Sequence, residues 1–223
     1  MNNARASLIQ YQRPKYLTGN PISRQLIRGF FESLTSCIRL VEVDYARLGQ
    51  RVHVLVEFGC GEGVSSDALR AALPEATVIG FDIHAPSVRI AVQYCAGAAF
   101  VVGDATHAPI RSNSADLVVM LEVLEHLPEP STALREAARV TRKWCIFSVP
   151  HEPIWRVLNM ARGAYWRAWG NTPGHINHWS RRGWISFLEQ HFDVVEIKTP
   201  LPWLMAVCRK KYSDALASPS CLV

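Results

Sequence analysis

This chain of 223 residues contains no run of the ~18 apolar residues that a membrane-spanning helix needs, so no span is indicated. Hydrophobic residues make up 49% and mean hydropathy is +0.04, which suits a soluble globular protein. The opening Met1–Ser7 leads into no apolar segment and reads as no secretory signal. Cys-x-x-Cys pairs are absent. The six cysteines (37, 60, 95, 145, 208 and 221) are scattered, and Cys60 and Cys145 fall in or beside strand-like runs as small apolar residues. That usage points to free thiols and a cytoplasmic protein. There is no basic stripe either. The net charge of +5 and pI of about 9.0 read as solvated surface charge, and no nucleic-acid partner is expected. No internal repeat is present, and tryptophan is missing from the first 143 residues, with all seven following.

The most informative stretch is Val54-Leu55-Val56-Glu57-Phe58-Gly59-Cys60-Gly61-Glu62-Gly63. A β-branched run that stops in three alternating glycines is a strand turning tightly into a helix, with backbone passing close to a neighbour. A second run, Thr77-Val78-Ile79-Gly80-Phe81-Asp82, ends in a carboxylate suited to a ribose diol beside the same crevice. A dinucleotide site would need Gly-x-Gly-x-x-Gly, but Val64 follows Gly63 and the spacing fails. Glu57 adds negative charge toward the turn, which favours a cation over phosphates.

Apolar patterning predicts strands near 52–58, 76–82, 98–102, 115–121, 143–149, 192–198 and 203–209. It predicts helices near 63–73, 86–95, 130–140 and 181–191. Asn20-Pro21 opens a further helix of about 20 residues, with Ile22, Leu26, Phe30, Leu34 and Ile38 on one stripe. Strand–helix alternation implies an α/β, doubly wound parallel sheet. The short Thr199–Pro202 link forces the last two strands into an antiparallel hairpin. The expected organisation is one domain over 1–223. It comprises an N-terminal arm and helix (1–45), a core (50–150), an insert (151–180), a final helix and hairpin (181–212) and a loose tail (213–223).

The pattern Glu57-x-Gly59-x-Gly61-x-Gly63 resembles motif I of the class I S-adenosylmethionine-dependent methyltransferases. Leu121-Glu122-Val123-Leu124-Glu125-His126 is similar to the segment that follows in ubiquinone-pathway O-methyltransferases. The resemblance covers about residues 50–150 and implies a Rossmann-like seven-stranded sheet with S-adenosylmethionine as cofactor. It also implies that Asp104 accepts from the adenine amino group. The expected cofactor contacts are Tyr16, Glu57, Phe58, Gly59, Cys60, Gly61, Gly63, Asp82, Ile83, Gly103, Asp104, Ala105 and Leu121. They cluster at the carboxyl ends of the first four strands, where open α/β sheets bind ligands.

Methyl transfer is an in-line displacement that needs alignment, exclusion of water and, for a protonated acceptor, a base. His126, His151 and His178 are the candidate bases. The tryptophan-rich insert is expected to cover a small, apolar or aromatic acceptor through Trp155, Trp166, Trp169, His175 and Trp179. The expected activity is O-methylation of a small organic molecule. Glu122, Glu125, His126 and a later histidine also resemble the ligand set of a metal-dependent RNA 2′-O-methyltransferase family, although no metal is expected here. A third reading is a cofactor-binding protein that transfers no methyl group.

Overall fold

The computed structural model describes residues 20–211 apart from 162, 164 and 165. Tyr16, the rest of the expected arm, and the tail lie outside the described residues. The chain opens on α1 (Pro21–Arg47), where Asn20 accepts the Ile22 N–H at 2.9 Å and Pro21 occupies the first turn. α1 is longer than predicted because its apolar spacing continues through Val41 and Tyr45. Its buried face is Phe30, Leu34, Cys37, Ile38, Val41 and Tyr45. Ile22, expected on that stripe, is 71% exposed. A four-residue repeat drifts around a helix of 3.6 residues per turn, and the drift carries its first member off the sheet.

Alternating units follow: β1 (Val54–Phe58), α2 (Val64–Ala72), β2 (Thr77–Asp82), α3 (Ala85–Tyr94), β3 (Ala99–Val102) and β4 (Ala115–Leu121). After β4 come a 3-10 turn (Leu124–His126), α4 (Pro130–Val140) and β5 (Thr141–Pro150). The insert contains α5 (Ile154–Ala161) and a 3-10 turn at Trp166–Ala168, and α6 (Arg181–Leu188), β6 (Phe192–Lys198) and β7 (Trp203–Lys210) close the fold. The seven strands run in the order β3-β2-β1-β4-β5-β7-β6. β1 to β5 are parallel, and β7 runs antiparallel to both β5 and β6. The expected Rossmann-like sheet and terminal hairpin are therefore present.

β4 is buried at all seven positions. Its alternation sends Val118 and Met120 to one face and Leu117, Val119 and Leu121 to the other. The first face packs with Phe58, Phe147 and Trp184, the second with α1 through Leu34, Ile38 and Val41. Asp116 fastens the start of this layer. It accepts the His53 and Val54 N–H groups at 2.8 and 2.9 Å and pairs with Arg142 at 2.7 Å. The five described cysteines are all buried and free. Among the described residues no helix is long and apolar enough to cross a membrane.

Candidate active site

Strand order reverses between β1 and β4, and the crevice beyond their carboxyl ends is the place where such sheets bind ligands. Gly59 and Cys60 donate their N–H groups to Phe81 O at 2.8 and 3.0 Å, which bends the loop over the end of β2. Asp82 fixes its far side, with Oδ2 accepting Gly61 N–H at 2.9 Å and Oδ1 accepting His84 N–H at 2.8 Å. Next to it, Asp104 Oδ1 accepts both the N–H and hydroxyl of Thr106 at 2.8 Å. The Thr106 N–H is the main cause of the lowered pKa of Asp104. Both carboxylates are half-buried and held in a fixed orientation by these bonds, with Ile83 beside them 71% exposed.

The three glycines of the turn divide their labour. All have positive φ, at 72°, 50° and 81° for Gly59, Gly61 and Gly63. A Cβ on Gly59 would lie 2.4 Å from Val123 Cγ2, and one on Gly63 would lie 3.1 Å from Ala91 Cβ. Only at Gly61 would it meet open space. Gly59 is required by packing against Val123, whatever its backbone meets on the other side. Gly103 likewise serves packing, since its Cβ would fall 2.6 Å from Pro109 Cγ.

Other residues of the expected cofactor set also pack within the core. Phe58 is fully buried against Phe81 with ring centroids 4.5 Å apart, and Cys60, Ala105 and Leu121 are buried. Glu57 does not project into the crevice. It is wholly buried and accepts the Ser66 hydroxyl beneath the start of α2, and desolvation raises its pKa to about 7.

On the acceptor side, His126 sits on the turn after β4. Its Nδ1 lies 2.9 Å from Gly174 O. A carbonyl can only accept, so Nδ1 carries the proton and Nε2 holds a free lone pair in the neutral ring. Nε2 lies 3.9 Å from the buried Glu125 carboxylate. The insert is pinned to this turn by Ile176 and Asn177 N–H groups on Glu125 O at 2.9 and 3.1 Å. Asn177 Nδ2 also donates to Leu124 O and Leu127 O at 3.1 and 2.6 Å. Ligand atoms of Glu125, His126 and His175 converge within 4.8 Å of one another. His151, at the end of β5, donates its N–H to Pro202 O, and burial, then Arg181, lowers its pKa. His178 Nδ1 faces buried Glu152 at 3.5 Å, and desolvation lowers its pKa.

Among the predicted acceptor contacts, Trp155 and His175 are stacked near the site with centroids 5.8 Å apart. Trp179 instead packs on Phe187 and Trp184 as part of a core cluster. Trp166 and Trp169 are 65% and 78% exposed. Glu122, read from sequence only as a possible metal ligand, and Trp203, which sequence reasoning left out, belong beside the site. Glu122 has φ 58° and accepts Trp203 Nε1 at 2.7 Å and Ser148 Oγ at 3.2 Å. Trp203 also packs on Trp155 and Phe30. Glu122 was legible only as one carboxylate of the Glu-x-x-Glu-His segment. The structure separates it from the converging group and gives it to β5 and β7.

Residues 56–148 match the family described as a methyltransferase domain. This match, with the relatives and the solved structure below, supports a class I S-adenosylmethionine-dependent methyltransferase family. Its relatives include a ubiquinone biosynthesis O-methyltransferase of Paracidovorax citrulli, 30% identical over 45% of this chain and 43% of that protein. A demethylmenaquinone methyltransferase of Paenarthrobacter aurescens is 29% identical over 53% and 47%. The chain thus matches under half the length of these two curated relatives. The crystal structure of magnesium protoporphyrin IX methyltransferase from Synechocystis with bound S-adenosylhomocysteine superposes with a TM-score of 0.65 at 18% identity. That match covers 94% of this chain and 96% of the other and speaks to the fold alone. The cofactor of the family is S-adenosylmethionine, and the open space at Gly61, flanked by Asp82 and Asp104, suits a nucleoside with a cationic centre.

Proposed function

We propose that this methyltransferase transfers the methyl group of S-adenosylmethionine to an oxygen of a small apolar or aromatic acceptor. Asp82 would accept from the ribose diol, Asp104 from the adenine amino group, and the Gly61 backbone would lie along the methionine portion. His126 is the base this reading prefers. The observation that carries the choice is the Nδ1–Gly174 O contact, which leaves Nε2 as the proton-accepting atom at the carboxyl end of β4. His151 and His178 remain secondary candidates, and their lowered pKa values favour the neutral, proton-accepting ring. The relatives named for quinone-pathway methylation support a small-molecule acceptor.

The test is S-adenosylhomocysteine formation across a panel of phenols and carboxylic acids, with wild type and His126→Ala compared at saturating cofactor. Loss of turnover by roughly 10²-fold with unchanged cofactor affinity supports the assignment. Equal turnover in the two proteins removes His126 from the chemistry.

A second reading is favoured by the convergence of Glu125, His126 and His175. One carboxylate and two imidazoles would suit a divalent ion, whose charge would polarise an acceptor hydroxyl, including a ribose 2′-hydroxyl at an RNA end. Gly174 O would then orient the His126 ring as an outer partner. Titration calorimetry with manganese or zinc separates the readings. Binding that disappears in Glu125→Gln, together with activity lost to chelator, favours the metal. Chelator-insensitive turnover rules it out.

A further inference from the structure

Glu152, just beyond the end of β5, is a buried carboxylate with no hydrogen-bond donor on either oxygen among the described residues. A buried charge left without close partners is costly. Beside it stand two basic side chains. Arg156 Nε lies 3.6 Å from Oε2 and His178 Nδ1 lies 3.5 Å from Oε1. Both contacts are longer than the ~2.7–3.2 Å of an N–H···O bond. Each basic group thus turns its inner nitrogen to the carboxylate and its outer nitrogens away. Those outer atoms are Arg156 Nη1 and Nη2 and His178 Nε2. None makes a hydrogen bond among the described residues, and the two side chains are 34% and 28% exposed.

The elements that carry this cluster are those that build the acceptor side. Glu152 N–H donates to Trp179 O at 3.1 Å, which ties the end of β5 to the segment holding His178. Arg156 follows Trp155 on α5, whose ring stacks on His175, and His175 lies 4.9 Å from His126. Asn177, next to His178, is bonded to the turn that carries His126.

We propose that the acceptor carries a carboxylate, apart from the oxygen that is methylated, bound by the Arg156 fork and His178 Nε2 with Glu152 positioning both. This rests on the methyl-transfer reading above; it gives His178 a binding role and leaves proton abstraction to His126. A guanidinium presents two parallel N–H donors whose spacing matches a carboxylate. Charge favours a monoanion. Burial, then the charge of Arg156, lowers the pKa of His178, so in the free protein Glu152 balances Arg156 alone. The charged groups acting on His178 are Arg156 and Glu152, and those acting on neighbouring His151 are Arg181 and Glu152. A bound carboxylate adds one negative charge, and protonation of His178 restores the balance, with the imidazolium between two carboxylates. Binding therefore takes up a proton.

Titration calorimetry of the full chain loaded with S-adenosylhomocysteine compares 4-hydroxybenzoate with its neutral amide, in two buffers of different ionisation enthalpy. The acid should bind at least about tenfold more tightly than the amide. Near neutral pH it should take up about one proton. Arg156→Lys keeps the charge without the fork, and should weaken the acid about tenfold while leaving the amide unchanged. His178→Gln should abolish the proton uptake. So should Glu152→Gln, because Arg156 alone then balances the ligand; a merely structural Glu152 would not move that readout. Equal affinity for acid and amide, or no binding of either, overturns the proposal. So does proton uptake that persists in both Glu152→Gln and His178→Gln. Tighter binding of phenyl phosphate than of the acid assigns the fork to phosphate and also refutes it. Binding is read here without turnover, so failure to form S-adenosylhomocysteine would count against the methyl-transfer reading alone.

Discussion

Replacing Asp82 by alanine isolates the contribution of the β2 carboxylate to cofactor binding. In the structure this group already organises the crevice, holding Gly61 N–H at 2.9 Å and His84 N–H at 2.8 Å. A carboxylate offers about four lone-pair sites, so two backbone donors leave capacity for two ribose hydroxyls. Losing hydrogen bonds to a charged acceptor costs about 1.5–3 kcal/mol, a Kd roughly 10- to 150-fold weaker. The backbone donors sit at the edge of the crevice and can turn to water, so the variant should lose only about 1 kcal/mol of folding stability. Titration calorimetry with S-adenosylhomocysteine measures the first quantity and urea unfolding the second. A 2′,3′-dideoxy analogue closes the cycle. It should bind wild type weakly and lose little more in Asp82→Ala, because the hydroxyls and the carboxylate are partners. Independent, additive losses would show that Asp82 acts only by shaping the loop and that the ribose assignment is wrong.

Gly61→Ala should weaken S-adenosylhomocysteine binding at least tenfold with a modest fall in stability, since its Cβ meets open space at φ 50°. Gly59→Ala should instead lower the melting temperature strongly, because its Cβ lies 2.4 Å from Val123. Glu57 is an acid whose folded pKa is raised from 4.5 to about 7, so the native state holds its proton more tightly than the unfolded state. Stability should therefore fall as pH rises through that window, and chemical denaturation of Glu57→Gln should show a flatter profile there. The depressed pKa values of His151, His178 and His191 act at the other end, removing stability as pH falls below 6.5. Asp116→Ala should cost about 3 kcal/mol in equilibrium unfolding, since it strips a buried acceptor from Arg142 and two N–H groups.

The sheet was readable because its signals are local and redundant. β4 and β6 begin and end where the apolar runs do, and the four-residue link before Trp203 leaves no room for a parallel crossover. α5 escaped because Ile154–Ala161 spans only about two turns, too short a window for its period to stand out in the sequence. The placement of Asp82 and Asp104 beside the crevice was readable because a carboxylate at a strand end has a short reach. Trp203 was not, because its contact with Glu122 joins β7 to β4 across β5 and leaves no mark on spacing. The exposure of Trp166 and Trp169 was not readable for a related reason. Aromatic richness reveals buried area without revealing which side of an insert it lies on.

The glycine motif itself illustrates how a sequence signature combines separate constraints. Gly59 yields to Val123 and Gly63 to Ala91, each a demand of protein packing, and Glu57 accepts the Ser66 hydroxyl of α2 within the core. Only Gly61 faces the space a cofactor would fill. All the motif residues serve binding, because the loop can present the Gly61 backbone only when the other positions let β1, the β4 turn and α3 close around it. Substitutions at Gly59 and Gly63 should therefore report on folding, and those at Gly61 on ligand affinity. A protein in which all three behaved alike would mean that the turn moves as one piece on cofactor binding.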